Sequence, residues 1–558
     1  MKRWSLRKRT VLSIACAAVV VAAAGIIVGF KAADSDYFFK INRSIDIFGH
    51  VYNEVTRDYV DEIDPEKLME AGINGMLSTL DPYTNFISES EGDEVELITS
   101  GKYGGIGVTI GLRDGYITIL SLMEGYSAHR QGIQPGDRIL EVDGHSIVGS
   151  KPDDVRSMTR GEPGTEVHIK IEREGEPRPL DFVLVREEIQ LKNVTYSGFI
   201  GNGIAYVRLE RFASGAGDDV RLALKQLELQ DSIRAIILDL RDNPGGLLDA
   251  AVDVTEKFVQ RGNLIVSTRG RKTDSERKYY ATEEPMFPGV PLIVLVNRNS
   301  ASASEIVAGA IQDLDRGIIL GTRTFGKGLV QTIAPLVYNT QLKITTAKYY
   351  TPSGRCIQEI DYMHKNKDGV FAVTPDSLRK EFRTLNGRPV YESGGIKPDT
   401  TIEVPEPGVF ERELLRKSMY FKFATHFASE HKEMPSPFPD DQSLLTQFRQ
   451  FLDREKFSYQ DDWEVKLTEL SGIVSKRNYA PAISEEIDRL RKDLGVTKEQ
   501  ALDWNKNEIL RNLRMEVMSR YKGEEGRIGT SLSGDIQLET AKILILNTRE
   551  YSRRLSMK

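Results

Sequence analysis

Residues 291–314 read "PLIVLVNRNSASASEIVAGAIQDL". A short apolar run rich in β-branched residues, opened by a proline, reads as a strand buried on both faces. A polar loop follows, then the amphipathic run "SEIVAGAIQDL", which reads as a helix. The same alternation recurs upstream. "GIAYVRLERF" (203–212) is a strand and "GAGDDVRLALKQLEL" (215–229) a helix. "IRAIILDLRDNPGG" (233–246) is a strand and loop, and "LLDAAVDVTEKFV" (247–259) a helix. Strands alternating with helices imply an α/β core around a substantially parallel sheet. Such sheets carry their sites beyond the carboxyl ends of the strands. Two loops fall there, "RDNPGG" and "NRNSASAS".

Outward from this core, spanning about 188–404, the chain changes character on both sides. Residues 36–95 are helical, with Ile45, Phe48, Val51, Tyr52 and Val55 at helical spacing until "LDPYTNF" breaks the pattern. Residues 96–187 alternate as strands around "YGGIGV", "GIQPGDRILEVDG" and the short helical "KPDDVRSMTRG". That order resembles a PDZ domain, β-rich with two helices. In "YGGIGV" the glycines, Gly104, Gly105 and Gly107, expose backbone N–H groups. With Tyr103, Ile106 and Val108 they form a loop suited to a chain-terminal carboxylate. Residues 405–558 return to helix; Ile483, Ile487, Leu490 and Leu494 form one apolar face, and "MPSPFPDDQ" marks a bend. At the start, Lys2, Arg3, Arg7, Lys8 and Arg9 precede the uncharged residues 11–30. Twenty residues span about 30 Å as a helix, which predicts a membrane anchor with the bulk of the chain outside. A cleaved signal segment within residues 1–35 is the alternative.

With 558 residues, several domains are expected. A net charge of −7 shows no basic field, which argues against nucleic-acid binding. Of two cysteines, Cys16 lies in the apolar segment, so Cys356 has no intrachain disulfide partner in the remainder. None of the seven histidines falls in the two strand-end loops. There is no H-E-x-x-H and no G-x-S-x-G, so zincin and α/β-hydrolase chemistry are not expected. A serine acting here needs a base other than histidine, and lysine is the recurrent substitute. "RTFGKGLVQ" (323–331) supplies Lys327 between two glycines, after the buried run "GIILGT". Were "KGLVQ" extended, Lys327 and Gln331 would share a face. Bland readings compete. Ser302 and Glu305 fit a helix capping box, and periodicity does not choose among Ser300, Ser302 and Ser304.

Taken in order, "LDPYTNF", the PDZ-like segment, "ILDLRDNPGG", "NRNSASASEIVAGAIQD", "GTRTFGKGLVQ", "YYTPSGRCIQ" and "GGIKPD" resemble the carboxy-terminal processing, or tail-specific, proteases over roughly residues 40–404. The resemblance implies a mixed α/β serine protease core of the ClpP/crotonase-like type, preceded by the PDZ domain and flanked by helical segments. It implies Ser302 as nucleophile, Lys327 as base and Gln331 as its orienting partner. Some members were assigned an aspartate matching Asp313, which ranks lower because it lies three turns from Ser302. An oxyanion hole would use the backbone N–H of Ala303 with that of Gly245 or Gly246. Neither metal nor organic cofactor is implied. Expected partners are proteins with free C-termini bound by the PDZ domain, the membrane, and a second copy or an adaptor. A catalytically dead PDZ scaffold is the rival reading. Residues 360–390 look like an insertion, and the tail from 405 looks like an extension of long members.

Overall fold

The computed structural model describes residues 37–272, 274–365, 371–476, 481–495 and 498–556. The predicted anchor, residues 11–30, lies outside them. Among the described residues no helix is long and apolar enough to cross a membrane. The chain divides into two compact units, 1–86 and 87–558.

In the first unit a helix covers 37–58 and a second spans Pro65–Leu77. Asp64 caps the second, accepting from the backbone N–H groups of Glu66 and Lys67 at 3.0 and 3.2 Å. Gly72 lets the Phe48 ring pack closely. The periodic apolar residues of the first helix are nonetheless largely uncovered. Ile45, Phe48 and Val51 are all more than half exposed.

The second unit opens with a β-rich domain. Its main sheet contains Val108–Arg113, Tyr116–Leu122, Arg138–Val142, Glu166–Glu172 and Leu180–Val185, all antiparallel. Helices Ser127–Arg130 and Pro152–Thr159 accompany it. Ile119, Ile139, Val142, Val167 and Ile171 alternate inward from the strands to fill its core. Val108–Arg113 lies at the sheet edge. Lys102–Gly105 pairs with Glu187–Gln190, so the two chain crossings into this domain run side by side.

Beyond it lies a six-stranded sheet in the order Val194–Phe199, Ile204–Leu209, Ala235–Asp239, Leu292–Val296, Ile318–Gly321, Thr400–Thr401. The first pair is antiparallel and every later pair parallel. Helices Ala216–Glu228, Leu248–Glu256 and Ala303–Asp313 pack on one face through Val207, Ile236, Leu238, Val294 and Ile319. The opposite face is covered from the far end of the chain. Helices Ile536–Leu546 and Thr548–Ser556 bring Leu538, Ala541, Ile545 and Tyr551 against Tyr206, Ile237, Ile293 and Leu320. The Tyr551 hydroxyl accepts from the Leu292 N–H and donates to its carbonyl, both at 2.9 Å. The last stretch of the predicted extension is thus part of the core, which explains why the strands are apolar on both faces. Before it, helices between Val409 and Ser531 bury a phenylalanine-rich cluster of their own, including Phe410, Phe423, Phe427, Phe448 and Phe451. Ile487 is buried, but Ile483, Leu490 and Leu494, predicted on its apolar face, are exposed.

A second, antiparallel sheet holds Leu264–Gly270, Arg277–Tyr280, Leu329–Pro335 and Gln341–Tyr350. Ile360–Lys365 pairs antiparallel with Phe371–Val373, and Glu381–Arg383 with Pro389–Tyr391.

Candidate active site

The loops predicted beyond the parallel strands are laced together. Asp242 accepts from the side-chain amides of Asn297 and Asn299 at 2.8 and 2.9 Å. Its own N–H donates to Asn297 Oδ1. Below them, buried Asp239 is held by Arg241 at 2.5 Å and by the Tyr206 hydroxyl at 2.7 Å. Burial pushes the Tyr206 phenol upward, while Arg241 keeps the Asp239 carboxyl below its usual range against the opposing effect of burial.

Burial and bonding separate the three serines. Ser300 and Ser304 are fully buried, and their hydroxyls donate to the carbonyls of Leu240 (2.8 Å) and Asn243 (2.9 Å). They are structural pins. Ser302 alone lines a cleft, of about 510 Å³. It sits at the N-cap of Ala303–Asp313 with φ 54° and ψ −112°. A non-glycine residue held there costs on the order of 1–3 kcal/mol and is kept only where the surroundings enforce it. Gly245 is part of that enforcement. A Cβ on it would lie 2.7 Å from the Ala301 carbonyl oxygen and 2.9 Å from the Ser302 Cβ, so only glycine permits this approach.

Lys327 and Gln331 line the same cleft. Lys327, Leu329, Gln331 and Ile333 line it at alternate positions, as period-2 spacing predicts. The pairing shifts between Val330 and Gln331, where Thr346 on the neighbouring strand is the extra residue. The Gln331 amide donates to the Thr345 hydroxyl at 3.2 Å.

Glu305 joins the serine turn to the lysine loop. Its side chain is fully buried and accepts four hydrogen bonds. Oε1 takes the Thr324 hydroxyl (2.6 Å) and the Gly326 N–H (2.7 Å). Oε2 takes the N–H of Ser302 (2.8 Å) and of Lys327 (2.9 Å). Burial pushes the carboxyl from 4.5 up to about 7, with the four donors acting the other way. The predicted capping interaction is therefore present, but it also fixes the backbone of the lysine. Tyr349 adds a second tie. Its hydroxyl lies 2.5 Å from the Lys327 carbonyl and 3.1 Å from that of Ser302. The lysine loop is further braced by Gln358, which accepts from the Gly328 N–H, and by Ile396, whose N–H donates to the Thr324 hydroxyl. "YYTPSGRCIQ" and "GGIKPD" thus supply scaffolding for Lys327. Sequence reasoning missed these supports, because no local spacing relates Glu305 to Thr324 or Tyr349 to Ser302.

Of the oxyanion candidates, the Gly245 N–H is already donated to Asn243 Oδ1 at 2.9 Å, which removes it as a free donor. The N–H groups of Gly246 and Ala303 donate to no described residue. Asp313 does not reach the cleft. It lies at the far end of its helix in a buried ion pair with Arg355 at 2.8 Å, and also accepts from the Ser353 N–H.

In the β-rich domain Tyr103, Gly105, Ile106, Gly107 and Val108 line a groove of about 170 Å³, with Arg156 and Thr159 opposite on helix Pro152–Thr159. Its floor ends at the free edge of Val108–Arg113, where an added strand could pair. Gly104 is not in the groove; a Cβ there would lie 2.0 Å from the Gly161 carbonyl oxygen. Leu97 lines both groove and cleft.

The chain has known relatives. The carboxy-terminal-processing protease of Bartonella bacilliformis is 41% identical over 316 residues, covering 56% of this chain and 72% of that protein. The chain belongs to the carboxy-terminal processing proteases. Residues 203–376 match peptidase family S41, and 118–173 match the PDZ domain. Residues 31–90 match the N-terminal domain of the activating protease CtpB, and 410–545 match the C-terminal helical domain of a probable PDZ-protease. The carboxy-terminal processing protease CtpB of Bacillus subtilis is 29% identical over 412 residues, covering 72% of this chain and 82% of that one. A probable CtpA-like serine protease of Staphylococcus aureus is 31% identical over 411 residues, covering 73% and 74%. The family is one of serine-type peptidases, built here as an S41 core with a PDZ domain and a helical C-terminal domain.

Proposed function

We propose that this protease cuts protein substrates near their C-termini, with Ser302 as nucleophile and Lys327 as general base. The observation that carries the reading is one cleft lined by Ser302, Lys327 and Gln331, with Glu305 bonded to the backbone N–H of both reacting residues. Ser302 attacks the scissile carbonyl and Lys327 accepts its proton. The lysine must first be neutral, and lowering its pKa from about 10.4 to about 7–8 costs roughly 3–5 kcal/mol. Partial burial disfavours the ammonium. The positive end of helix Ala303–Asp313 acts in the same sense. Gln331 orients the amine. The Ala303 and Gly246 N–H groups receive the oxyanion, a contribution of about 3–4 kcal/mol per donor in comparable sites.

The PDZ groove selects free C-termini, its glycine loop offering backbone N–H groups to the terminal carboxylate. The core is of the ClpP/crotonase-like type. Residues 11–30 tether the enzyme to the extracytoplasmic face of the inner membrane, or are removed as a signal segment. A second copy or an adaptor is a further partner. The test is cleavage of a reporter carrying an apolar C-terminal tail. Wild type shortens it at the tail, whereas Ser302→Ala and Lys327→Ala leave it intact. Cleavage by either variant at the wild-type rate overturns the assignment. Binding without cleavage by wild type would favour the PDZ scaffold instead.

A further inference from the structure

The catalytic cleft contains a cation that neither the proton transfer nor the fold uses. Arg211 follows strand Ile204–Leu209 and lines the cleft beside Phe212, whose N–H and carbonyl bond to Gly245 and Leu247. It therefore stands next to the loop that carries Gly246. Its Nε is shut off from solvent and makes no hydrogen bond. Six other arginines share that feature, but each has a terminal guanidinium nitrogen bonded elsewhere. Arg113 and Arg186 reach carbonyls, Arg355 reaches Asp313, Arg449 reaches Asp503, Arg511 reaches Glu508 and Arg520 reaches the Phe421 carbonyl. Arg211 alone among them has no partner on any nitrogen among the described residues. The neighbouring carboxylate, Glu210, bonds Arg208 at 3.3 Å and acts on Arg211 only through space. Burial pushes the Arg211 guanidinium below its usual value.

Arg211 is half-buried, with only its Nε shut off from solvent, and a guanidinium that bonds no carboxylate is open to an incoming one. An arginine lying along an apolar wall with its head in water is the plain description of the free enzyme, and in this cleft a bound substrate takes the place of that water. The rest of the cleft points the same way. Among the described residues its charged lining is Arg211, Lys327 and Lys343, with no aspartate or glutamate. Its remaining walls are mostly apolar, including Leu97, Ile98, Leu248, Ile306 and Ile333.

We propose that Arg211 is a specificity-determining residue whose guanidinium receives a carboxylate of the bound substrate, from an acidic side chain near the scissile bond or from the chain terminus. Guanidinium and carboxylate match as a planar fork, the strong form of charged hydrogen bond. The preferred substrate is then an apolar tail carrying one carboxylate at a fixed distance from the cut. This rests on the proposed assignment of the cleft as the catalytic site.

The test uses the full chain and two peptide pairs sharing one apolar tail. One pair is C-terminally amidated and carries Glu or Gln at a single position, walked along the tail. The other lacks acidic side chains and ends in a free carboxylate or an amide. The quantity read is the ratio of kcat/KM for acid over amide within a pair, in which any inactive fraction of enzyme cancels. In wild type one pair gives a ratio of roughly 10 to 100, the range of a charged hydrogen bond. Arg211→Gln brings that ratio toward one, and Arg211→Lys leaves it intermediate. Because the PDZ loop also senses a free terminus, the second pair is scored on the change between wild type and Arg211→Gln. The first pair names a side chain as the source, the second the terminus. Wild-type ratios near one in both pairs, or a ratio unchanged in Arg211→Gln, overturn the proposal. The same pairs titrated onto Ser302→Ala and onto Ser302→Ala/Arg211→Gln read the discrimination as Kd. Should wild type cleave nothing, the catalytic assignment fails, while this binding comparison still decides the role of Arg211.

Discussion

Replacing Glu305 by glutamine isolates the contact that couples the proposed nucleophile to the proposed base. The carboxylate offers two acceptor oxygens to four donors, at 2.6 to 2.9 Å. A carboxamide keeps one oxygen and turns an NH2 toward the other pair of donors. Either Ser302 and Lys327, or Thr324 and Gly326, then lose their acceptor inside a fully buried pocket. Two unsatisfied buried donors cost about 1–3 kcal/mol each, or roughly 2–6 kcal/mol together. The expected outcome is a kcat at least about 30-fold lower, a KM changed far less, and a lower Tm. A pH signature separates this from a general loss of packing. Burial raises the native carboxyl from 4.5 to about 7, so between those values the native state holds a proton that the unfolded chain has released. The contribution of this group to stability is complete below about pH 4.5. It falls by roughly 3 kcal/mol as pH rises to about 7. Glu305→Gln removes that slope. Activity runs the opposite way, since only the ionised carboxylate accepts all four donors; kcat of wild type therefore rises with pH through about 7. The assay is denaturant unfolding from pH 4.5 to 8 beside tail-peptide kinetics. A Glu305→Gln enzyme with wild-type kcat and an unchanged stability slope would refute the reasoning.

Gly245→Ala places a Cβ against the Ala301 carbonyl and Ser302 at a φ of +99°; kcat is expected to fall at least 10-fold, with unfolding assays showing destabilisation. Tyr349→Phe removes the hydroxyl between the Ser302 and Lys327 carbonyls and is expected to cost about 1–2 kcal/mol in transition-state stabilisation, read from kcat/KM. Asp313→Asn breaks a buried pair with Arg355. Stability should drop by about 3–5 kcal/mol, while kcat per folded molecule stays near wild type, the opposite of what a catalytic aspartate would show.

The parallel strands were legible because helices cover both faces of the sheet, and burial on both sides writes an unbroken apolar run such as "PLIVLV". What covers the second face was not legible. Helix Ile536–Leu546 has little amphipathic contrast, and it docks on strands more than two hundred residues earlier in the chain. Period-2 spacing placed Lys327 and Gln331 on one cleft. It did not show the extra residue, Thr346, on the neighbouring strand, because no alternation rule contains a bulge. In the first unit, Ile45, Phe48 and Val51 have a helical period without a described surface to cover them, so periodicity located the helix but not its partner.

The serine triplet shows the limit most directly. Residue type and spacing left Ser300, Ser302 and Ser304 equivalent. Burial separates them: two hydroxyls are committed to carbonyls beneath the loop, and the middle residue faces the cleft. The capping box and the turn that carries Ser302 are also one arrangement. In an isolated helix Glu305 would need only to satisfy the N-cap N–H. Here the same carboxylate also accepts from Thr324, Gly326 and Lys327, donors supplied by a loop that reaches it only in the folded core. A local helix-start signal has thus been given a long-range duty. The cost of burying that carboxyl, visible in its raised pKa, is borne to hold the lysine loop against the serine turn.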